Sequence, residues 1–430
     1  MKTIKIITFC NALCNYGQVL QAYALQRYLR DNYKDFEVKL IYAHPFGGAQ
    51  KPNKKSCVKI FCEHLNTARR YFNAYILCID KYDKKIRQHK KEMIKEAMRE
   101  VLEEAQINSA NNARIDMLNK KREFERFKRE HIAIHCDYLQ NFSGFGKEYE
   151  ADMYIVGSDQ VWNVGSDNFW ADFYTLEFLP PNHKSKKISY AASLGKAEFG
   201  SEGERVYFKK ALAKFDAISV RESCNIKTLN EIGYNAECVP DPTQLLSKSD
   251  YEKLIKSAIE NGEVDLAKSD NKVRKKSVFV YMLGNETNIN KDSVMAFLES
   301  QHSVIYTNAN VDFSCAWDYK SDFAPTPQEW LACMRDCKMI ITNSFHGCAF
   351  AILMNTPFVA LKLGGGAESM NTRFYQLFEL FGLQNRLVDN LNELKTIINE
   401  PIEWDNINAK LKEWRNIGVE FLDREIKALR

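Results

Sequence analysis

Residues 2–43, KTIKIITFCNALCNYGQVLQAYALQRYLRDNYKDFEVKLIYA, decide the fold. Ile4-Lys5-Ile6-Ile7-Thr8-Phe9 is apolar, partly β-branched, and stops where polar residues begin, which predicts a short buried strand over 4–9. A loop from Asn11 to Gly17 follows, and then Val19, Leu20, Tyr23, Ala24, Leu25, Tyr28 and Leu29 recur at helical spacing. Val38–Ala43 reads as a second strand, closed by Pro45 and two glycines. Strand, glycine-containing turn, helix and strand within about 45 residues make a βαβ unit, the seed of a parallel sheet.

Outward from this unit the texture changes. Residues 51–130 hold no glycine and a single proline, Pro52, and are rich in Lys, Arg, Glu and aromatics, which predicts long helices. Strand-like runs resume at Met153–Gly157, Ile188–Ala192 and Ala217–Val220, and Val239-Pro240-Asp241-Pro242-Thr243 then breaks the chain ahead of a helical stretch up to about 261. Residues 262–276 are polar and charged and read as a linker. A second α/β series opens with Val278–Leu283, Val304–Thr307, Met339–Thr342 and Pro357–Leu361, and a charged terminal helix starts at Trp404. The expectation is an α/β protein of two Rossmann-like domains, 1–261 and 277–430, facing a cleft with ligands at the strand C-termini. The first domain carries the helical insertion at about 51–130.

Composition bounds the function less tightly. The 430 residues, 45% hydrophobic and 27% charged, are ordinary for a globular protein and exclude a collagen-like or mainly disordered chain. The six apolar-leaning residues at the start are too few for a signal-peptide core, and no run approaches the roughly 20 apolar residues of a membrane span. The 12 cysteines include no Cys-x-x-Cys pair; those in apolar segments, such as Cys78, Cys337 and Cys348, fit reduced buried thiols in a cytoplasmic protein. The net charge of +4 is bland as a total, but residues 51–130 carry 21 Lys+Arg against 12 Asp+Glu. With Tyr71, Phe72, Tyr75, Ile76 and Ile79 among those charges, two readings stay open. One is a helical hairpin packed on the body, and the other is a surface lying on an anionic membrane.

Four segments can carry chemistry. In the first, Met339–Thr342 is a buried strand, Asn343-Ser344-Phe345-His346-Gly347 a turn, and Cys348–Met354 an apolar helix; free N–H groups and the dipole's positive end make that turn an anion site, with His346 in it. In the second, Arg221 ends the run Ala217–Val220, where a guanidinium is costly unless it meets an anion or a carboxylate such as Glu222. In the third, Ile155-Val156-Gly157 runs into Ser158-Asp159-Gln160-Val161-Trp162-Asn163, a carboxylate, two amides and an indole suited to hydroxyl-rich ligands. The fourth, Asn15-Tyr16-Gly17-Gln18, sits where a phosphate loop would but lacks G-x-G-x-x-G and G-x-x-x-x-G-K-[ST]; H-E-x-x-H, G-x-S-x-G and the kinase set are also missing.

Taken in order, NYGQVLQAYALQ (15–26), YIVGSDQVWN (154–163), ISYAASLG (188–195), ISVRES (218–223), VPDPT (239–243), TNSFHG (342–347) and NTRF (371–374) resemble the polysaccharide pyruvyl transferase family. The resemblance implies a GT-B-like pair of Rossmann domains, with the acceptor on the first and the donor on the second. It implies transfer of the pyruvyl unit of phosphoenolpyruvate, as co-substrate and without cofactor or metal, onto two hydroxyls of a sugar in a polysaccharide or glycan precursor. A lipid-linked acceptor at the inner face of a membrane would suit the basic insertion, and no nucleic acid is implied.

Carried over residue by residue, the resemblance puts His346 as general acid and Asp159, or Asp241, as base. Arg221, Ser344, Gly347 and Arg373 would hold the donor, and Asn15, Tyr16, Gly17, Gln160 and Trp162 the acceptor. Some members place an arginine two positions before the histidine; Ser344 stands there, so that anion contact is either missing or supplied by Arg373. Two other uses of the architecture remain open: a nucleotide-sugar glycosyltransferase and a non-catalytic carbohydrate- or anion-binding protein.

Overall fold

A computed structural model gives the architecture and describes residues 1–43, 113–137, 150–163, 169–180, 182–262, 274–284, 287–309 and 323–429. The described body is one compact unit made of Met1–Ala43, Met117–Asp137 and Asn141–Arg430. A second unit, His44–Asp116 with Tyr138–Gln140, lies almost wholly outside the described residues, as do the basic insertion up to 112 and most of the linker expected over 262–276.

The first half is a sheet of β1 (Lys2–Ile7), β2 (Phe36–Ala43), β3 (Ile134–Asp137), β4 (Met153–Val156) and β5 (Lys186–Ser189) in the order β3-β2-β1-β4-β5. Every pair is parallel, and the central register sets Ile6 of β1 between Leu40 of β2 and Ile155 of β4. Helix Tyr16–Asn32 is the crossover from β1 to β2, and its Val19, Leu20, Ala24 and Leu25 are buried. β6 (Ser219–Val220) and β7 (Glu237–Cys238) pair in parallel, and the bridges Ile188 to Ala217 and Ala192 to Val220 lay β6 alongside β5.

The second half repeats the plan with β8 (Ser277–Met282), β9 (Ser303–Asn308), β10 (Met339–Thr342), β11 (Phe358–Leu361) and β12 (Leu387–Val388), ordered β12-β11-β10-β8-β9 and all parallel. β8 and β10 are apolar and fully buried, as strands covered on both faces must be. In each sheet the chain's direction of growth reverses once, between β1 and β4 and between β8 and β10. The loops leaving those strands open a crevice, which is where ligands bind in this fold class. The architecture is thus the expected pair of Rossmann-like halves.

Three segments depart from the expected partition. Helix Phe124–His131, placed by composition at the end of the insertion, belongs to the body: Phe124 packs 5.0 Å from Tyr16 and Phe127 5.6 Å from Tyr23, ring centre to ring centre. Helix Lys248–Glu260, expected in the first domain, packs on the second half, with Lys248 Nζ donating to Met354 O at 2.9 Å and Tyr251 edge-on to Phe350. Helix Trp404–Lys427, at the end of the second domain in sequence, returns to the first half. Its Glu425 pairs with Lys186 at 2.8 Å, and its Asp423 accepts from Tyr33 OH at 2.5 Å. No helix among the described residues is long and apolar enough to cross a membrane.

Candidate active site

The strand order brings four loop starts together. Gly157-Ser158-Asp159 leaves β4, Arg221-Glu222 leaves β6, Asp241 follows β7, and Asn343 to His346 leaves β10 in the other half. The side chains meet at Asp241, which is 1% exposed. Its Oδ1 accepts from Thr243 N at 3.0 Å and Thr243 Oγ1 at 2.8 Å, and its Oδ2 from Ser158 Oγ at 3.0 Å and Arg221 Nη1 at 3.2 Å. His346 Nε2 approaches the same Oδ2 to 3.4 Å, outside hydrogen-bond geometry. Burial would raise this carboxyl's pKa, but His346, Arg221 and the Thr243 N–H together hold it well below the usual carboxylate range.

Local chemistry explains the placement. Pro240 and Pro242 flank Asp241 with fixed φ and no N–H, and Asp241 caps the short 3₁₀ turn Pro242–Gln244 through its own side chain. His346 lies in the first turn of helix Phe345–Met354, capped by Ser344, and its ring rests on Gly17 of the other half. A Cβ built on Gly17 would stand 2.3 Å from both Cγ and Nδ1 of the imidazole, so only glycine lets helix Tyr16–Asn32 approach that closely. Gly347 has a similar reason to lack a side chain, since its Cβ would lie 2.6 Å from Thr342 Oγ1.

Arg221 is buried among three carboxylates: Nε donates to Glu222 Oε1 at 2.8 Å, and Nη1 lies 3.2 Å from Asp241 and 3.6 Å from Asp159. Its guanidinium sits 4.3 Å from the centre of the Phe345 ring, a contact across the two halves. Nη2 is buried without a hydrogen-bond partner. Arg373, from helix Thr372–Phe381, lines the same cavity as Arg221, Asp241 and Phe345, and its Nε is likewise unpartnered. Burial and the neighbouring Arg221 charge push the Arg373 guanidinium down to about 10, with Asp159 and Glu222 opposing. Two adjacent cations with spare donors make a place where an anion is stabilised by charge-assisted hydrogen bonds.

The other residues singled out in the sequence divide. Asp159, with 13% of its side chain exposed, is more open than Glu222 or Asp241. Gln160 is on the same rim, accepting from Asn163 Nδ2 at 2.7 Å. Ser344 Oγ accepts from Gly347 N at 3.2 Å as the helix cap, which occupies the Gly347 N–H and leaves the hydroxyl its own proton to donate. Asn15 caps helix Tyr16–Asn32 through Gln18 N. Tyr16 is core: it stacks on Trp330 at 5.3 Å and donates to Pro325 O at 2.7 Å. Trp162 is 1% exposed and donates to Tyr174 O. Ser158, Glu222 and Phe345 are cluster members that the sequence did not single out as site residues, and Asp241, offered there as an alternative base to Asp159, is its centre.

Solved structures with similar chain paths include UDP-N-acetylglucosamine 2-epimerases. The UDP-N-acetylglucosamine 2-epimerase of Rickettsia bellii is similar over 100% of this chain and 96% of its own, with 9% identity and a TM-score of 0.47. The UDP-GlcNAc 2-epimerase of Methanocaldococcus jannaschii, in complex with UDP-GlcNAc and UDP, is similar over 99% of this chain and 100% of its own, with 12% identity and a TM-score of 0.49. For the enzyme of Neisseria meningitidis bound to UDP-GlcNAc the figures are 99%, 100%, 11% and 0.41. Among curated proteins, none matches the chain. Residues 15–363, which include Ser158, Asp159, Arg221, Asp241 and His346, match the polysaccharide pyruvyl transferase family, and the chain belongs to that family.

Proposed function

We propose that the chain transfers the pyruvyl group of phosphoenolpyruvate onto two hydroxyls of a sugar, making a pyruvate ketal and releasing phosphate. The observation that carries this reading is the pair Arg221 and Arg373, each with an unpartnered buried guanidinium nitrogen, beside an imidazole whose Nε2 makes no hydrogen bond. Phosphoenolpyruvate brings a carboxylate and a phosphate to such donors. Its methylene carbon takes a proton from His346, leaving an oxocarbenium centre at C2; general acid catalysis of this kind contributes about 10²–10⁴-fold. The first sugar hydroxyl adds at C2 and gives its proton to Asp159, the carboxylate with the more open side chain. The C2–O bond to phosphate then breaks, and the second hydroxyl closes the ketal as its proton passes to solvent or phosphate. Arg221 and Arg373 stabilise the charge that collects on the departing phosphate.

As it stands the cavity offers about 20 Å³, one water-sized space, so the ligand enters only as its lining side chains turn or the halves part. The test is phosphate release from phosphoenolpyruvate with a panel of lipid-linked and nucleotide-linked sugars, run with wild type and His346→Ala. Turnover should be lost in the variant while phosphoenolpyruvate still binds. Thermal stabilisation by UDP or GDP and not by phosphoenolpyruvate would refute the reading in favour of a nucleotide-sugar enzyme. A contact between the basic insertion and an anionic membrane belongs to the same proposal. Vesicle binding that is lost in high salt tests it, and no binding at low salt would sink it.

A further inference from the structure

Asp241 differs from the other two carboxylates around Arg221 in having no spare lone pair. Thr243 takes Oδ1 through two donors, and Ser158 and Arg221 take Oδ2. With those four donors in place a sugar hydroxyl finds no acceptor direction on it. What remains is its place. Ser158 comes from the end of β4, Arg221 from the end of β6, and His346 from the end of β10 in the other half, and all three converge on one oxygen. Two prolines fix the backbone on either side.

We infer that Asp241 is the positioning residue of this site, the fixed point that sets the anion-binding Arg221 and the proton-giving His346 on the same ligand. The inference rests on the phosphoenolpyruvate reading above. His346 Nε2 stands 3.4 Å from Oδ2 outside hydrogen-bond geometry, so the carboxylate faces the ring nitrogen without being bonded to it. The same negative charge opposes an incoming anion and neutralises part of Arg221. Asp241 therefore acts with opposite signs on the two stages: it sets the place of the proton-giving ring for the first, and it weakens anion binding. A merely structural carboxylate would, on removal, loosen the site and weaken both.

The experiment compares wild type, Asp241→Asn and Ser158→Ala. Binding of inorganic phosphate and of phosphoenolpyruvate is read by calorimetry, and turnover by phosphate release. For Asp241→Asn we expect kcat to fall about 10²-fold while both anions bind at least about 3-fold tighter, since a like charge has gone. Ser158→Ala removes one tether on Oδ2 and should lower kcat by about 3- to 10-fold with anion binding unchanged; it decides the matter if Asp241→Asn fails to fold. Wild-type kcat in Asp241→Asn, or weaker phosphate binding, overturns the assignment. A wild type that binds phosphate but never turns over phosphoenolpyruvate sinks the proposed reaction. In that case the direction of the phosphate effect still decides whether Asp241 opposes an anion there.

Discussion

Replacing Gly17 by alanine tests the site at its tightest point. The new Cβ would stand 2.3 Å from Cγ and Nδ1 of His346 and 2.5 Å from its Cβ. Carbon contacts relax to about 3.5 Å, so something must move by about 1 Å. The helix carrying residue 17 cannot easily retreat, because the adjacent Tyr16 is stacked on Trp330 and bonded to Pro325 O. The displacement falls on the imidazole, whose far side already meets Asp241 at 3.4 Å. A misplacement of about 1 Å in a reacting group costs on the order of 10²-fold in rate. Overpacking costs about 1–3 kcal/mol of stability, and alanine's helix preference returns about 0.5–1 kcal/mol of it, since residue 17 is helical. The variant should therefore fold, melt only slightly lower by circular dichroism, bind phosphoenolpyruvate nearly as well as wild type, and release phosphate about 10²-fold more slowly. A folded variant working within about threefold of wild type would refute the placing of His346 as the proton donor against Gly17.

Arg373→Ala should weaken phosphoenolpyruvate binding by roughly 10- to 100-fold, the worth of about 1.5–3 kcal/mol for hydrogen bonds to a charged group, measured by calorimetry with Arg221 intact. Asp241's carboxyl has a depressed folded-state pKa, so its stabilisation is fully present above the unfolded value of about 4 and drains as pH falls through the folded one. Denaturant midpoints for wild type and Asp241→Asn should accordingly converge between about pH 5 and pH 2. Gly418→Ala would set a Cβ 2.4 Å from Tyr190 Oη and 2.7 Å from Pro240, pushing helix Trp404–Lys427 off the first half. A loss of about 1–3 kcal/mol in chemical denaturation is expected.

What the sequence revealed follows from how buried parallel strands are written. β4, β8, β10 and β11 are apolar almost throughout, legible because both faces are covered. β7 and β12 have two residues each, too few to show a period, and β3, Ile-His-Cys-Asp, mixes polar and apolar residues. His346 and Arg221 stood out because a charged or titratable group after a buried strand needs a reason. Asp241 entered only as the alternative to Asp159, since an aspartate between prolines is also what an ordinary turn looks like. Only the fold shows that the turn is buried and aimed at an arginine and a histidine. A signal was present in the following Thr243, whose N–H and hydroxyl are the donors such an aspartate uses. Tyr16 and Trp162 were expected at the acceptor, and burial against Trp330 and Tyr174 O is a long-range fact that no local pattern carries.

The return of helix Trp404–Lys427 sets an order on synthesis. Its Phe421 packs by Tyr190, its Glu425 pairs with Lys186 beside β5, and its Arg415 donates to Gln244 O, next to the turn that holds Asp241. Those partners leave the ribosome more than 150 residues earlier than the helix that covers them. Domains made first usually fold first, but here part of the first half's cover comes from chain made after the second half. The reactive cluster, which needs His346 of the second half beside Asp241 of the first, is therefore complete only after both halves have been made.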